Sequence, residues 1–132
     1  LTGTFYCTRE VVENMLLHRK KGVIINVGSI SSSGNIGQTS YAATKSAINA
    51  LTVTWAQELG LFGIRVAGIA PGITDTKMPN ESMSKSQLES WINKAPIKLI
   101  IQPSEIANGI LFAIKNKAFT GRTLAINGGL RM

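Results

Sequence analysis

Apolar residues in this chain recur in two patterns, stripes spaced near 3.6 positions and short runs rich in β-branched residues, and the two alternate from one end to the other. Phe5, Val11, Val12, Met15 and Leu16 form a helical stripe over residues 4–18. The run Val23-Ile24-Ile25-Asn26-Val27 then reads as a buried strand. Residues 39–59 predict a long helix with Ile48, Leu51, Thr52, Trp55 and Leu59 on one face and Gly60 as its cap. A second face carries Ala43, Ala47 and Ala50, small enough either to admit another helix or simply to pack on the sheet. Residues 64–69 predict a strand, after which Ala70-Pro71-Gly72 takes the chain out of the sheet, because proline lacks an amide donor and glycine permits a tight turn. Pro103-Ser104-Glu105 opens a helix with Ile106, Ile110, Leu111 and Ile114 as its core stripe, and residues 123–126 supply a last strand. Helices alternating with strands argue for an α/β fold, a parallel sheet covered on its faces. No repeat, low-complexity tract or linker interrupts residues 1–132, which predicts one domain or part of one.

Between these elements, residues 77–101 are polar, irregular and dotted with methionine, with a short helix expected near 85–93. Met78, Met83, Leu88 and Trp91 there fit two readings, the wall of an apolar pocket or the inner face of a surface helix.

Composition narrows the class. A chain of 132 residues with 44% hydrophobic content can bury most of its apolar groups. No stretch approaches the ~20 apolar residues of a membrane span, and the first thirty residues lack the order of a signal peptide, so a soluble, cytoplasmic protein with no membrane partner is expected. Cys7 is the single cysteine, which excludes an internal disulfide or a zinc cluster and predicts a small buried residue. His18 is equally solitary and suits a surface or capping role, so no metal site is expected. The net charge of +7 invites a nucleic-acid reading. Its bases are scattered, however. Arg19-Lys20-Lys21 precedes Gly22, where a helix is expected to end, and Lys77, Lys85, Lys94, Lys98, Lys115, Lys117, Arg122 and Arg131 fall in loops and helix ends with few aromatics between them. Without a stacking platform or a recognition helix the pattern argues against nucleic acid. Solvated lysines account for it, and an acidic carrier protein is the more natural partner if there is one.

The chemistry is carried by Gly37-Gln38-Thr39-Ser40-Tyr41-Ala42-Ala43-Thr44-Lys45. Four residues apart on a helix, Tyr41 and Lys45 are neighbours on one face. A free phenol titrates near ~10, and a cation held beside a phenol favours its ionised form, which suits proton transfer during carbonyl reduction. Ser29 lies twelve positions before Tyr41, at the carboxyl end of the first strand, where open α/β sheets bind ligands. Ser29, Tyr41 and Lys45 are the candidate catalytic group.

Taken with Gly28-Ser29, Pro71-Gly72-Ile73-Thr74-Asp75-Thr76 and the late run Thr120-Gly121-Arg122-Thr123-Leu124-Ala125-Ile126-Asn127-Gly128-Gly129, this segment resembles the short-chain dehydrogenase/reductase family, most of all its 3-oxoacyl-[acyl-carrier-protein] reductase branch. The resemblance covers almost all the chain, with the motifs in order. It implies the C-terminal half of a Rossmann-type doubly wound parallel sheet and an NADP- or NAD-dependent oxidoreductase. In that reading a nicotinamide supplies hydride, Tyr41 protonates the carbonyl oxygen, Ser29 holds that oxygen, and Lys45 assists Tyr41 and binds the nicotinamide ribose. Pro71 and Gly72 would lie along the nicotinamide, Thr74 would contact its carboxamide through the backbone, and Thr76 would bond to the cofactor. The implied substrate is a small carbonyl compound or an acyl thioester, and the implied assembly a homo-oligomer built on the helix before Ser29 and the one carrying Tyr41. Residues 77–101 correspond to the family's mobile substrate lid.

Two departures qualify the resemblance. The interval from Ser29 to Tyr41 is one residue shorter than the commonest family spacing, and Ser31 is the alternative to Ser29. The family's glycine-rich phosphate loop and its Asn-Ala-Gly motif are absent from the sequence, and its active-site asparagine would precede Leu1, so the chain is expected to be the C-terminal half of a longer enzyme, weak or inactive by itself. The competing expectation is a non-enzymatic fragment with an open sheet edge along residues 23–27, available to a partner. A sugar-nucleotide epimerase is disfavoured because the chain ends soon after Asn127-Gly128-Gly129.

Overall fold

The computed structural model describes residues 1–130, and all of their side chains except those of Met78, Asn80 and Ser82. Three parallel strands, β1 (Gly22–Val27), β2 (Ile64–Pro71) and β3 (Thr123–Ile126), lie in the order β1-β2-β3. Val27 is in register with Ile69, and Gly68 with Thr123. The crossover from β1 to β2 carries the helix α2 (Thr39–Leu59), that from β2 to β3 the helix α5 (Pro103–Lys115), and α1 (Thr2–Leu17) precedes β1. This is the expected α/β architecture, the C-terminal portion of a Rossmann-type sheet.

Alternation along β2 sends its side chains to two cores. Ile64 and Val66 pack with Trp55, Ala56 and Leu59 of α2, joined by Val12 and Met15 of α1 and Ile24 of β1. Ala67 and Ile69 face the other way, onto Ala113, Ile106 and Ile110 of α5. With both faces covered β2 is almost wholly buried, as a central parallel strand should be. Close approach of α5 depends on Gly109, where an added Cβ would stand 2.1 Å from Ile126 Cδ1. Arg65, on the α5 face of β2, donates to the carbonyls of Ala113 and Phe119 at 2.8 Å each and of Ile114 at 2.8 Å, placing a cation on the otherwise unsatisfied carboxyl end of that helix.

Several expectations are corrected. β2 does not stop at Ile69 but runs through Ala70 and Pro71, a position a proline tolerates at a strand's end. Gly60 caps α2 as expected, but not in left-handed geometry. It continues in right-handed geometry into a 3₁₀ turn, Gly60–Phe62, and Gly63 takes the positive φ of 73°. The first helix likewise ends at Leu17, short of Gly22, which opens β1. Cys7 is exposed, not buried, because α1 has a packed neighbour on one side only. For the same reason Phe5, Val11 and Leu16 are exposed, as are Leu111 and Ile114 on α5. His18 does cap α1, its Nδ1 lying 2.9 Å from the Asn14 carbonyl oxygen.

After β2 come two short helices, α3 (Lys77–Ser82), which periodicity does not foretell, and α4 (Lys85–Lys94), opened by a capping box between Ser84 and Gln87. Met83, Leu88 and Trp91 are half-buried, and the side chain of Met78 lies outside the described residues. Ile101 returns the segment to the sheet, its N–H donating to the Ile73 carbonyl at 3.0 Å and its carbonyl accepting from Asp75 at 2.8 Å.

Candidate active site

β1 ends at Val27, and the Gly28 N–H reaches across to the Ile69 carbonyl at 2.7 Å, fixing the point where the chain leaves the sheet. Ser29 follows in extended geometry and begins a 3₁₀ turn, Ile30–Ser33. Its Oγ accepts from the Ser31 N–H at 3.1 Å. Since that bond uses the oxygen's lone pair and not its proton, and no acceptor for Ser29 is present among the described residues, the hydroxyl proton is left to donate. Ser29 is buried and lines a cavity of about 380 Å³ with Ile30, Ala70, Ala125, Asn127 and Leu130. Ser31 is buried but does not line it.

Tyr41 sits in the first turn of α2, 38% exposed. Lys45 lies one turn on, with Nζ 5.7 Å from the Tyr41 ring centroid, as helical spacing requires. The same Nζ donates to the Val27 carbonyl at 2.8 Å. The ammonium is thereby pinned at the carboxyl end of β1, two residues before Ser29, and keeps two further donors. The sequence-based trio thus converges on one end of the sheet.

The second predicted set is more inward-looking. The Gly72 N–H donates to the Ile126 carbonyl at 2.8 Å, and a Cβ at Gly72 would lie 2.8 Å from the Asn127 Cα, so this glycine is required by the approach of β3 itself. Thr74 Oγ1 donates to the Gly72 carbonyl at 3.1 Å and Thr76 Oγ1 to the Thr74 carbonyl at 3.4 Å. Pro71, Gly72, Thr74 and Thr76 therefore lie on one backbone ribbon leaving the carboxyl end of β2, with Thr76 exposed. Two spare ammonium donors on Lys45 and a ribbon bearing hydroxyl groups suit a neutral ribose and carboxamide. The sequence holds no glycine-rich loop for a pyrophosphate.

Three residues not singled out from the sequence bear on the site. Asn49, one turn beyond Lys45, donates from Nδ2 to Ser32 Oγ at 2.9 Å, and its Oδ1 accepts from Thr123 Oγ1 at 3.2 Å. The Ser46 hydroxyl donates to the Ser32 carbonyl. Asn49 was within reach of sequence reasoning, since it continues the i, i+4 row of Tyr41 and Lys45. Thr123 was not, because its role depends on strand order. A larger, apolar groove of about 480 Å³ lies away from this end, between α1 and α2, lined by Leu1, Phe5, Tyr6, Ala47, Ala50 and Leu51.

A parallel sheet covered on both faces, with a serine and the tyrosine–lysine pair at its carboxyl end, defines a Rossmann-type α/β protein. The chain belongs to the short-chain dehydrogenase/reductase family: the family model described as enoyl-(acyl carrier protein) reductase matches residues 1–131. Among its relatives, the 3-oxoacyl-[acyl-carrier-protein] reductase FabG of Staphylococcus epidermidis is 38% identical over 135 residues, covering 100% of this chain and 54% of that protein. FabG of Thermotoga maritima is also 38% identical, over 98% of this chain and 53% of the relative. Of solved structures, a 3-oxoacyl-[acyl-carrier protein] reductase from Brucella melitensis superposes with a TM-score of 0.90 at 34% identity, over 100% of this chain and 50% of that one. A 7α-hydroxysteroid dehydrogenase complexed with NADH and 7-oxo glycochenodeoxycholic acid gives 0.92 at 30% identity, over 100% and 53%. The chain spans about half the length of the relatives it matches.

Proposed function

We propose that this chain forms the catalytic half of an NAD(P)(H)-dependent oxidoreductase that interconverts a carbonyl and an alcohol. The observation that supports the reading is the Lys45 ammonium, bonded to the Val27 carbonyl at the strand end that leads to Ser29 and lying 5.7 Å from the Tyr41 ring centroid. A bound reduced nicotinamide supplies the hydride. The Ser29 hydroxyl, its oxygen already engaged by the Ser31 N–H, holds the substrate oxygen by donating a hydrogen bond while keeping its proton, and Tyr41 delivers the one proton that completes the alcohol. Lys45 would stabilise charge on the Tyr41 oxygen and, with its remaining donors, would hold the ribose of the cofactor, and Pro71, Gly72, Thr74 and Thr76 would hold its nicotinamide. Ser29 is preferred over Ser31 because it faces the cavity.

The relatives' names favour a 3-oxoacyl thioester as substrate, with an acidic acyl carrier protein as its bearer. The +7 net charge is compatible with such a partner. The apolar groove between α1 and α2 supports a homo-oligomer that covers it. Residues 1–132 constitute part of one domain in this reading, and bind cofactor weakly alone because the sequence lacks the phosphate loop.

The reading is tested by following nicotinamide fluorescence as NADPH or NADH is added to the 132-residue chain and to a chimera in which the amino-terminal half of the S. epidermidis relative precedes Leu1. Binding by the chimera, weakened by Lys45→Ala, supports the assignment. A folded chimera that binds neither nucleotide removes it, leaving the fragment reading, in which the open edge of β1 serves a partner.

A further inference from the structure

We propose that Asn49 is a positioning residue of this site, the link that fixes Ser29 against Tyr41; the inference rests on the catalytic reading above. Between β1 and α2 the chain runs through eleven residues, 28–38, that include only a single 3₁₀ turn. Within that turn the bonds are local, the Ser32 N–H to the Ser29 carbonyl at 3.1 Å and the Gly34 N–H to the Ser31 carbonyl at 3.0 Å. What joins the turn to the rest of the molecule is Ser32. Its carbonyl accepts from the Ser46 hydroxyl, and its Oγ accepts from Asn49 Nδ2 at 2.9 Å.

An amide can present either end, so something must orient it. Thr123 Oγ1 donates to Asn49 Oδ1 at 3.2 Å, which leaves the NH₂ end for Ser32. Two glycines make room for this arrangement. A Cβ at Gly68 would stand 2.3 Å from Thr123 Oγ1, and one at Gly28 would stand 3.2 Å from Asn49 Oδ1. The path therefore runs from β2 and β3, through Thr123 and Asn49, to Ser32 and so to Ser29. Asn49 shares its helix face with Lys45 and Tyr41, so one rigid element sets the serine, the cation and the phenol in common register. Asn49 and Ser32 line the same cavity as Ser29, and the role assigned to Asn49 is exerted through Ser32.

The test has two arms. In the 132-residue chain, amide exchange is compared among wild type, Asn49→Leu, the milder Ser32→Ala, and Thr123→Val. The Ser31 and Gly34 amides are expected to exchange at least about tenfold faster in Asn49→Leu and Ser32→Ala, with β2 amides unchanged. In the chimera the same two substitutions are expected to lower kcat by roughly 10- to 100-fold with little change in KM for the nucleotide, the pattern of a misplaced reacting group, while Thr123→Val shows a smaller loss. Unchanged protection at Ser31 and Gly34, protection lost equally throughout β2, or KM and kcat shifting together would each overturn the proposal. A chimera with no turnover even as wild type counts against the catalytic reading, and the exchange arm still decides whether Asn49 holds the turn.

Discussion

An ammonium has three donors, and Lys45 commits one of them to the Val27 carbonyl, so its place is fixed by β1 and not only by the helix it grows from. That is why the pair Tyr41 and Lys45 has more content in the structure than in the sequence, where a tyrosine four residues before a lysine is common. Tyr41→Phe, which keeps the ring and removes the proton, is expected to lower kcat of the chimera by about 10² to 10⁴ without altering nucleotide affinity, as read by steady-state kinetics and fluorescence titration. Arg65 offers the contrasting case, a cation whose work is structural. Its guanidinium is bonded to two carbonyls at the end of α5, those of Ala113 and Ile114, and to that of Phe119 in the loop that follows. Arg65→Met should cost about 2 kcal/mol in urea unfolding and raise exchange of the amides at residues 113–119, because three acceptors lose a charged donor. Asn26 and Thr52 form the buried polar counterpart on the α2 face, at 2.9 Å, and Thr52→Val should destabilise by about 1–3 kcal/mol by leaving the Asn26 donor without its acceptor.

Among elements, α5 sits against β3 only because residue 109 has no side chain. Gly109→Ala would set a methyl group 2.1 Å from Ile126 Cδ1 and is expected to destabilise by roughly 1–3 kcal/mol. Ile126→Val removes that Cδ1, so the double variant should recover part of the loss in a thermal or urea double-mutant cycle, and strict additivity would refute the contact. The sequence makes the elements themselves legible. The helix over 39–59 and the strand over 123–126 have the bounds expected of them, since each is long or strongly patterned and closed by glycine or polar residues. Less legible is which side of an element has a neighbour. Periodicity places Leu111 and Ile114 in the same stripe as Ile106 and Ile110, yet α5 meets the sheet through Ile106, Gly109, Ile110 and Ala113, and Leu111 and Ile114 fall outside the contact. Phe5 and Cys7 are exposed for the same reason. Glycine chemistry misleads similarly at Gly60, where a left-handed residue is expected just past the helix and arrives three positions later. The candidate trio is legible because it obeys one helix spacing and one strand end, whereas Thr123 enters the site through pairing of β2 with β3, which no local pattern encodes.

For the whole molecule, the sheet has two covered faces and, among the described residues, a β1 that pairs on one side only. The relatives are about twice as long, and the sequence here has the candidate serine, tyrosine and lysine without a phosphate loop. We propose on these grounds that residues 1–132 carry the proton relay of a nicotinamide-dependent reductase and depend on a nucleotide-binding half for turnover. The most direct measurement is NADPH- and NADH-dependent reduction of an acetoacetyl thioester by the chimera, with Tyr41→Phe beside it and the 132-residue chain as reference. Turnover by the chimera that falls by at least about a hundredfold in Tyr41→Phe, with little or none in the reference chain, is the predicted result. A chimera that binds nucleotide and reduces carbonyl compounds equally well with and without the Tyr41 hydroxyl would contradict it.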